Sequence, residues 1–186
     1  TIAGAIGVLW TNVLVNADTG LGALWDGIMA LQFLNPIFSA LQYATISCIS
    51  IGVVMLVAQE IGEANGEHGT AYPAVFGFLS WLVVTPTAFV GYVQDGTAAS
   101  SVYLPEGLES VASFTGIGSS YTGATGLFTA LIIGILGMEI YGFLRKQDAL
   151  KIKMPEQVPP GVARAFEVLI PTFIALVIIG AIGEAL

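Results

Sequence analysis

The chain alternates long apolar runs with short polar connections. A helix that crosses a bilayer needs about 20 mainly apolar residues. Five segments approach that length and carry almost no charge: Thr1–Ala17, Ala40–Ala58, Ala71–Val93, Gly123–Leu144 and Phe166–Leu186. The pattern predicts an all-α fold, a polytopic transmembrane helical bundle with about five spans.

The uncharged run from Gly27 to Ala58 is too long for one upright helix. Asn35-Pro36 divides it, because a residue before proline disfavours the helical backbone region. We therefore predict that Leu21–Leu34 forms a short re-entrant or interfacial helix ahead of the second span. Pro86 falls inside the third predicted span, where we expect a kink, since neighbouring groups in a membrane protein can satisfy the freed carbonyl.

Three polar connections separate the later spans. Gln59–Thr70 is acidic and contains His68, while Gln94–Thr122 is long and rich in glycine, serine and threonine, so both are predicted loops. Arg145–Ala165 holds every basic residue of the chain: Arg145, Lys146, Lys151, Lys153 and Arg164. These five side chains are the candidate surface for a partner protein or for lipid.

Composition supports a membrane location. The chain is 55% hydrophobic and 10% charged, whereas soluble domains carry about 25% charged residues. The net charge of −8 with five basic residues excludes a nucleic-acid partner, because phosphate binding needs clustered Lys and Arg. One cysteine, Cys48, cannot form an internal disulfide, and no catalytic, nucleotide or metal-binding motif occurs. We expect no cofactor and no metal, and we interpret His68 as a solvated loop residue.

The placement of the basic residues also predicts an orientation. Lys and Arg are concentrated in loops that stay in the cytoplasm, so Arg145–Ala165 is predicted to be cytoplasmic. Counting spans backwards then places Gln94–Thr122 outside and Gln59–Thr70 inside.

Glu139 is the one ionisable residue well inside a predicted span. A charge at the bilayer centre costs at least about 2.5–3.5 kcal/mol on insertion scales, so such residues tend to be functional. Glu139 also lies about 9 Å from the cytoplasmic end of its helix, so a structural role near the interface is the alternative. Glu167, at the start of the fifth span, suits the positive end of a helix. Paired glycines (Gly123 and Gly126, Gly134 and Gly137, Gly180 and Gly183) predict close helix–helix contacts.

The most distinctive stretch joins the fourth and fifth spans. It contains the run IKMPEQVPPGVARAFEVLIP, and GATGLFTALIIGILGMEIYGFL precedes it. Across Gly123–Pro171 this pattern closely resembles enzyme IIC, the membrane subunit of the lactose/cellobiose (N,N'-diacetylchitobiose) branch of the bacterial sugar phosphotransferase system. The earlier spans fit that family in spacing and character.

The resemblance implies a ten-span carrier in the bacterial cell membrane that forms a homodimer through its N-terminal half. It implies uptake of a disaccharide that enzyme IIB phosphorylates, with enzyme IIA supplying the phosphoryl group. Residues 1–186 would be the N-terminal, dimer-forming domain, and the sugar-binding half, with its catalytic residues, would lie outside them. We therefore assign no catalytic or substrate-binding residue here. The alternatives are an ion-coupled secondary transporter using Glu139 and a membrane scaffold without transport of its own.

Overall fold

The structure, a computed structural model, describes residues 2–16, 18, 20–24, 30–152 and 158–185. Most of these residues are helical, and one small sheet is present. The chain divides into two compact units. The first comprises Thr1–Ser50 and Ser119–Leu127, and the second comprises Ile51–Gly118 and Phe128–Leu186.

The first unit is built on two helices that each continue into a π-helical turn. These are α1 (Ile2–Leu9) with Trp10–Leu14, and α2 (Asn35–Gln42) with Tyr43–Ser47. The Trp10 ring stacks on Phe38 with centroids 4.2 Å apart, and its Nε1 donates to Asn35 Oδ1 at 3.0 Å.

The predicted re-entrant segment Leu21–Leu34 belongs to this first unit. Its described parts, Leu21–Ala23 and Ala30–Leu34, are 3₁₀ turns rather than an α-helix. Residues 25–29 of that prediction lie outside the described part of the chain.

The second unit contains the longer helices. These are α3 (Ile49–Ala64, whose first two residues belong to the first unit), α4 (Tyr72–Val84), α6 (Leu127–Arg145, whose first residue belongs to the first unit) and α7 (Pro160–Ala185). The short helix α5 (Ser119–Thr122) precedes α6 and belongs to the first unit.

Small residues let these helices approach closely, as in other membrane helix pairs. A Cβ at Gly137 would lie 3.0 Å from Ser80 Oγ, and one at Gly180 would lie 2.9 Å from a Val83 methyl group. Gly134 and Gly183 likewise face Val54 and Val84. Two of the three predicted glycine pairs therefore lie at helix contacts. In the third pair, Gly126 lies against Tyr121 of its own segment, whereas a Cβ at Gly123 would lie 3.7 Å from the Ser47 carbonyl oxygen, and the Gly123 carbonyl accepts a hydrogen bond from Ser50 Oγ at 2.6 Å.

A small sheet replaces the second half of the predicted third span. Helix α4 ends at Val84, and Thr85 is extended with ψ 125° because Pro86 follows it. The chain then forms β1 (Ala88–Gln94), β2 (Thr97–Ser101) and β3 (Ala112–Thr115), antiparallel in the order β2-β1-β3. The prediction of one kinked helix over Ala71–Val93 is wrong. The predicted all-α class is confirmed in that the described residues are mostly helical, with this one small sheet added.

Residues Asp95 and Gly96 explain the hairpin between β1 and β2. Their φ angles are 50° and 77°, the left-handed backbone of a type I′ turn, for which Asp-Gly is a preferred sequence. The predicted loop Gln94–Thr122 therefore contains two strands.

Among the residues that the structure describes, two helices, Ala124–Arg145 and Pro160–Ala185, are long and apolar enough to cross a membrane. They match the fourth and fifth predicted spans, although the second begins at Pro160, six residues before the predicted Phe166 and inside the predicted basic loop. Ala30–Ser47 and Ile49–Ala64 pass the same test together but meet at a 43° bend, so the second predicted span is not one straight helix. Ile2–Leu14 and Tyr72–Val84 are shorter apolar helices. A count of five spans stays a prediction.

Candidate functional site

The connection between α3 and α4 folds back so that one acidic side chain points inward. Gly66 and Gly69, on either side of Glu67, have φ angles of 93° and 72°, which glycine adopts without a Cβ clash. The Glu67 amide donates to the Gly62 carbonyl at 2.9 Å. As a result Glu67 is 2% exposed, although its sequence neighbours are polar.

The Glu67 carboxylate pairs with the end of α6. Arg145 Nη1 lies 2.6 Å from Glu67 Oε1, and the Tyr141 hydroxyl donates to the same oxygen at 3.3 Å. The Glu67 side chain is 3% exposed and that of Arg145 is 27% exposed. A buried carboxylate is costly unless it is paired and hydrogen-bonded, so these two donors explain how Glu67 is accommodated.

Aromatic packing fixes the position of Tyr141. Its ring centroid lies 4.9 Å from that of Phe76 and 5.3 Å from that of Tyr72, both on α4. The Tyr72 hydroxyl hydrogen-bonds Thr172 Oγ1 on α7. These ring contacts and this hydrogen bond connect α4, α6 and α7 next to the ion pair.

A cleft of about 210 Å³ opens beside this pair, at the same end of the unit. It is lined by Asn65, Glu67, Met138, Tyr141, Gly142, Arg145, Lys146, Lys151 and Glu167. Three of the five basic residues predicted as a partner surface are therefore brought together. Lys151 Nζ also pairs with Asp148 Oδ1 at 2.9 Å, at an exposed position.

The other residues singled out from the sequence lie elsewhere. Lys153 falls outside the described residues, and Arg164 lies in α7 with its side chain outside them. Glu139 is exposed on α6, and His68 is exposed in its turn. Within the described ranges, no three His, Cys, Asp or Glu side chains are grouped to hold a metal ion.

Glu67 was missed because nothing in the local sequence distinguishes it from Glu60 and Glu63. The sequence signal that could have pointed to Glu67 was the predicted side of the membrane on which each connection lies. Counting spans places the α3–α4 connection and the basic connection on the same side, where an acid of the first can pair with a cation of the second. The glycines on either side of Glu67 were a weaker local sign of a tight turn.

Comparison with known proteins identifies the family. The profile of the phosphotransferase system EIIC family matches residues 2–186. The chain belongs to that family. EIIC is the same component as enzyme IIC, so the resemblance drawn from the basic connection and its flanking helices is confirmed.

Several curated EIIC proteins are similar to this chain. The oligo-beta-mannoside-specific EIIC component of Bacillus subtilis (strain 168) is 30% identical over 96% of the chain. The cellobiose-specific EIIC component of Lactococcus lactis subsp. lactis (strain IL1403) is 39% identical over 98% of it. The chain spans 35% and 42% of the lengths of these two proteins.

A solved structure has the same fold. The crystal structure of ChbC, the IIC component of the N,N'-diacetylchitobiose-specific phosphotransferase system, superimposes with a TM-score of 0.70 at 30% identity. The match covers 96% of this chain and 38% of ChbC. The helical arrangement described above is therefore that of an EIIC protein.

Proposed function

We propose that this chain is the N-terminal half of the membrane permease subunit of a phosphotransferase-system sugar transporter. The complete subunit takes up a disaccharide such as cellobiose, lactose or diacetylchitobiose, coupled to its phosphorylation by enzyme IIB. The observation that carries the proposal is the family match over residues 2–186. The cellobiose, oligo-beta-mannoside and diacetylchitobiose specificities of similar proteins favour a β-linked disaccharide or oligosaccharide.

This half serves assembly rather than sugar chemistry. The chain corresponds to 35–42% of the lengths of its EIIC relatives, and its one histidine, His68, is exposed in a turn and does not line the cleft. We assign the sugar site and its catalytic groups to the remainder of the subunit. The five-span topology and the homodimeric role of this half are part of the same proposal.

The basic connection 145–165 is cytoplasmic in this proposal. Two arguments support the orientation. Lys and Arg accumulate on the cytoplasmic side, and all five lie in this connection. Glu67 and Arg145 are in contact at 2.6 Å, which agrees with the span count that assigns both connections to one side.

The cleft beside Arg145 is the proposed contact area for enzyme IIB. Cations arranged on a surface steer an acidic partner and set its orientation more than they add affinity. Lys146 is exposed, and Lys151 pairs with the exposed carboxylate of Asp148, so both are accessible to a partner. Enzyme IIA acts on this site only indirectly, through enzyme IIB.

Neutralising this surface tests the docking proposal. In the complete subunit, Lys151→Gln with Lys153→Gln is expected to lower enzyme IIB-dependent sugar phosphorylation about 2- to 30-fold, since exposed charge pairs contribute about 0.2–1 kcal/mol each. The loss should be largest at low salt and shrink as salt is added. Glu106→Gln in the connection at the other end is the matched control. A double variant with the wild-type rate and salt dependence would show that enzyme IIB docks elsewhere.

The energy source for uptake distinguishes the proposed phosphotransferase carrier from an ion-coupled carrier. A phosphotransferase carrier requires enzyme IIB and phosphoenolpyruvate, whereas an ion-coupled carrier requires a gradient. In an ion-coupled carrier Glu139 would lie on the ion pathway, since charged residues of such pathways face the bundle interior or a water-filled cavity. Uptake abolished by an uncoupler while phosphoenolpyruvate is supplied would favour that alternative.

A further inference from the structure

Glu139 lies at the centre of the uncovered face of α6. The packed face of this helix consists of buried residues at helical spacing: Ala130, Ile133, Gly134, Gly137, Met138 and Tyr141. Glu139 is two positions from both Gly137 and Tyr141, so it lies about 160° around the helix from each. Its neighbours on the uncovered face are Phe128, Ile132, Ile135, Leu136 and Phe143, which are 75%, 45%, 45%, 44% and 66% exposed.

The direction of the side chain keeps Glu139 away from the nearer membrane surface. It lies six residues before Arg145, about 9 Å along the axis. Cα–Cβ bonds in an α-helix tilt towards the N-terminus, and α6 runs towards Arg145. The short Glu139 side chain therefore points into the apolar stretch rather than out of it, unlike a long Lys or Arg that can extend to the interface.

Among the described residues, none forms an ion pair or a hydrogen bond with Glu139. A carboxylate facing hydrocarbon is unfavourable, and such residues pair with other side chains or line polar cavities. The apolar neighbours and the central acid together specify what should cover this face. The covering element must be mainly apolar and must offer a cation or a hydrogen-bond donor at the depth of Glu139.

We propose that the exposed face of α6 packs against a further membrane helix of the EIIC subunit, one that donates a hydrogen bond or an ion pair to Glu139. The similar EIIC proteins are more than twice as long as this chain, which spans 35–42% of them, so a complete subunit has chain available to do this. A second copy of α6 is disfavoured. Two copies inserted in the same direction and related by a two-fold axis would bring Glu139 against Glu139, and like charges repel.

This inference rests on the membrane placement of α6 in the proposed function. The test uses the complete subunit in native membranes, with a photo-crosslinking amino acid introduced in place of Leu136 or Phe143, which flank Glu139. The expected product is a monomer-sized adduct in which mass spectrometry finds a peptide outside residues 1–186. An adduct to lipid, to residues 1–186 of either copy, or of dimer size would overturn it.

Two substitutions then separate the role of the carboxylate from general packing. Glu139→Leu should shift the folded-to-unfolded ratio of the subunit about 3- to 30-fold towards unfolding, the range of a hydrogen bond between membrane helices. Glu139→Gln should retain most of the stability, because the amide still accepts a hydrogen bond. Glu184→Leu, at the exposed end of α7, is the matched control and should change little.

Equal or higher stability of Glu139→Leu would show that the face meets lipid, and would overturn the inference while leaving the permease assignment intact. A cysteine at position 139 that reacts with membrane-impermeant reagents at the rate of a water-exposed residue would instead contradict the membrane placement of α6 itself.

Discussion

The ion pair between Glu67 and Arg145 is expected to be a main determinant of the stability of the second unit. Arg145→Gln removes the cation but leaves the buried carboxylate in place. Glu67→Gln keeps the size of the side chain and removes its charge. Each substitution should destabilise the unit, and the double variant should be less destabilised than the sum of the two.

The burial of the two side chains determines how much stability each substitution should remove. Removing one partner of a fully buried pair costs about 3–5 kcal/mol, whereas an exposed pair contributes about 0–1 kcal/mol. Glu67 is 3% exposed but Arg145 is 27% exposed, at a separation of 2.6 Å. We therefore expect about 2–3 kcal/mol for Arg145→Gln, between those two limits. The coupling free energy of the double-mutant cycle should be about 1–3 kcal/mol.

The assay is reversible unfolding of the detergent-solubilised protein, measured for the wild type, both single variants and the double variant. The pair Lys151–Asp148 provides an internal control, since its nitrogen–oxygen distance of 2.9 Å is similar but Asp148 is 85% exposed. Its coupling free energy should stay below about 1 kcal/mol. Equal coupling in the two pairs, or additive effects of Glu67→Gln and Arg145→Gln, would refute the reasoning from burial.

Three further predictions concern packing, the hairpin and orientation. Gly77→Val should lower the free energy of unfolding by about 1–3 kcal/mol, because a Cβ at Gly77 would overlap Ala58 Cβ. Gly52→Ala, with open space around it, should instead raise the free energy of unfolding by up to about 1 kcal/mol in the same thermal-melting assay, because alanine is the better helix former. Asp95→Ala should cost about 1 kcal/mol, because alanine disfavours the left-handed backbone that Asp95 adopts in its turn; Asp95→Asn, which tolerates that backbone, is the comparison. A cysteine at Gln147, in a cysteine-free background, should react with impermeant reagents only after cells are opened, and labelling of intact cells would invert the proposed topology.

Sequence patterns located the helices best where apolar runs were long and free of proline. Ala124–Arg145 and Pro160–Ala185 closely match the predicted fourth and fifth spans. Pro171 does not interrupt α7, because a helix can accommodate one proline when its neighbours compensate. Hydropathy misjudged the third segment, since Phe89, Val90 and Val93 are as apolar in a strand as in a helix. The deciding signals there were Thr85-Pro86 and Asp95-Gly96, which act on the backbone rather than on hydropathy.

The candidate site was foreseen only in part. The clustering of basic residues in one connection predicted that Arg145, Lys146 and Lys151 lie near one another, and they line one cleft. The role of Glu67 in the site depends on a tertiary contact with Tyr141, 74 residues away in sequence. No local pattern encodes such a contact, because it forms only when α3, α4 and α6 have packed.

That long separation also constrains the order of events during biosynthesis. At a translation rate of about 5–20 residues per second, the ribosome adds Tyr141 about 4–15 s after Glu67. Throughout that interval the newly inserted α3–α4 hairpin carries an acid whose partners do not yet exist. The turn around Glu67 is therefore expected to stay hydrated until α6 arrives, so the closing of this end of the bundle is a late step of its maturation.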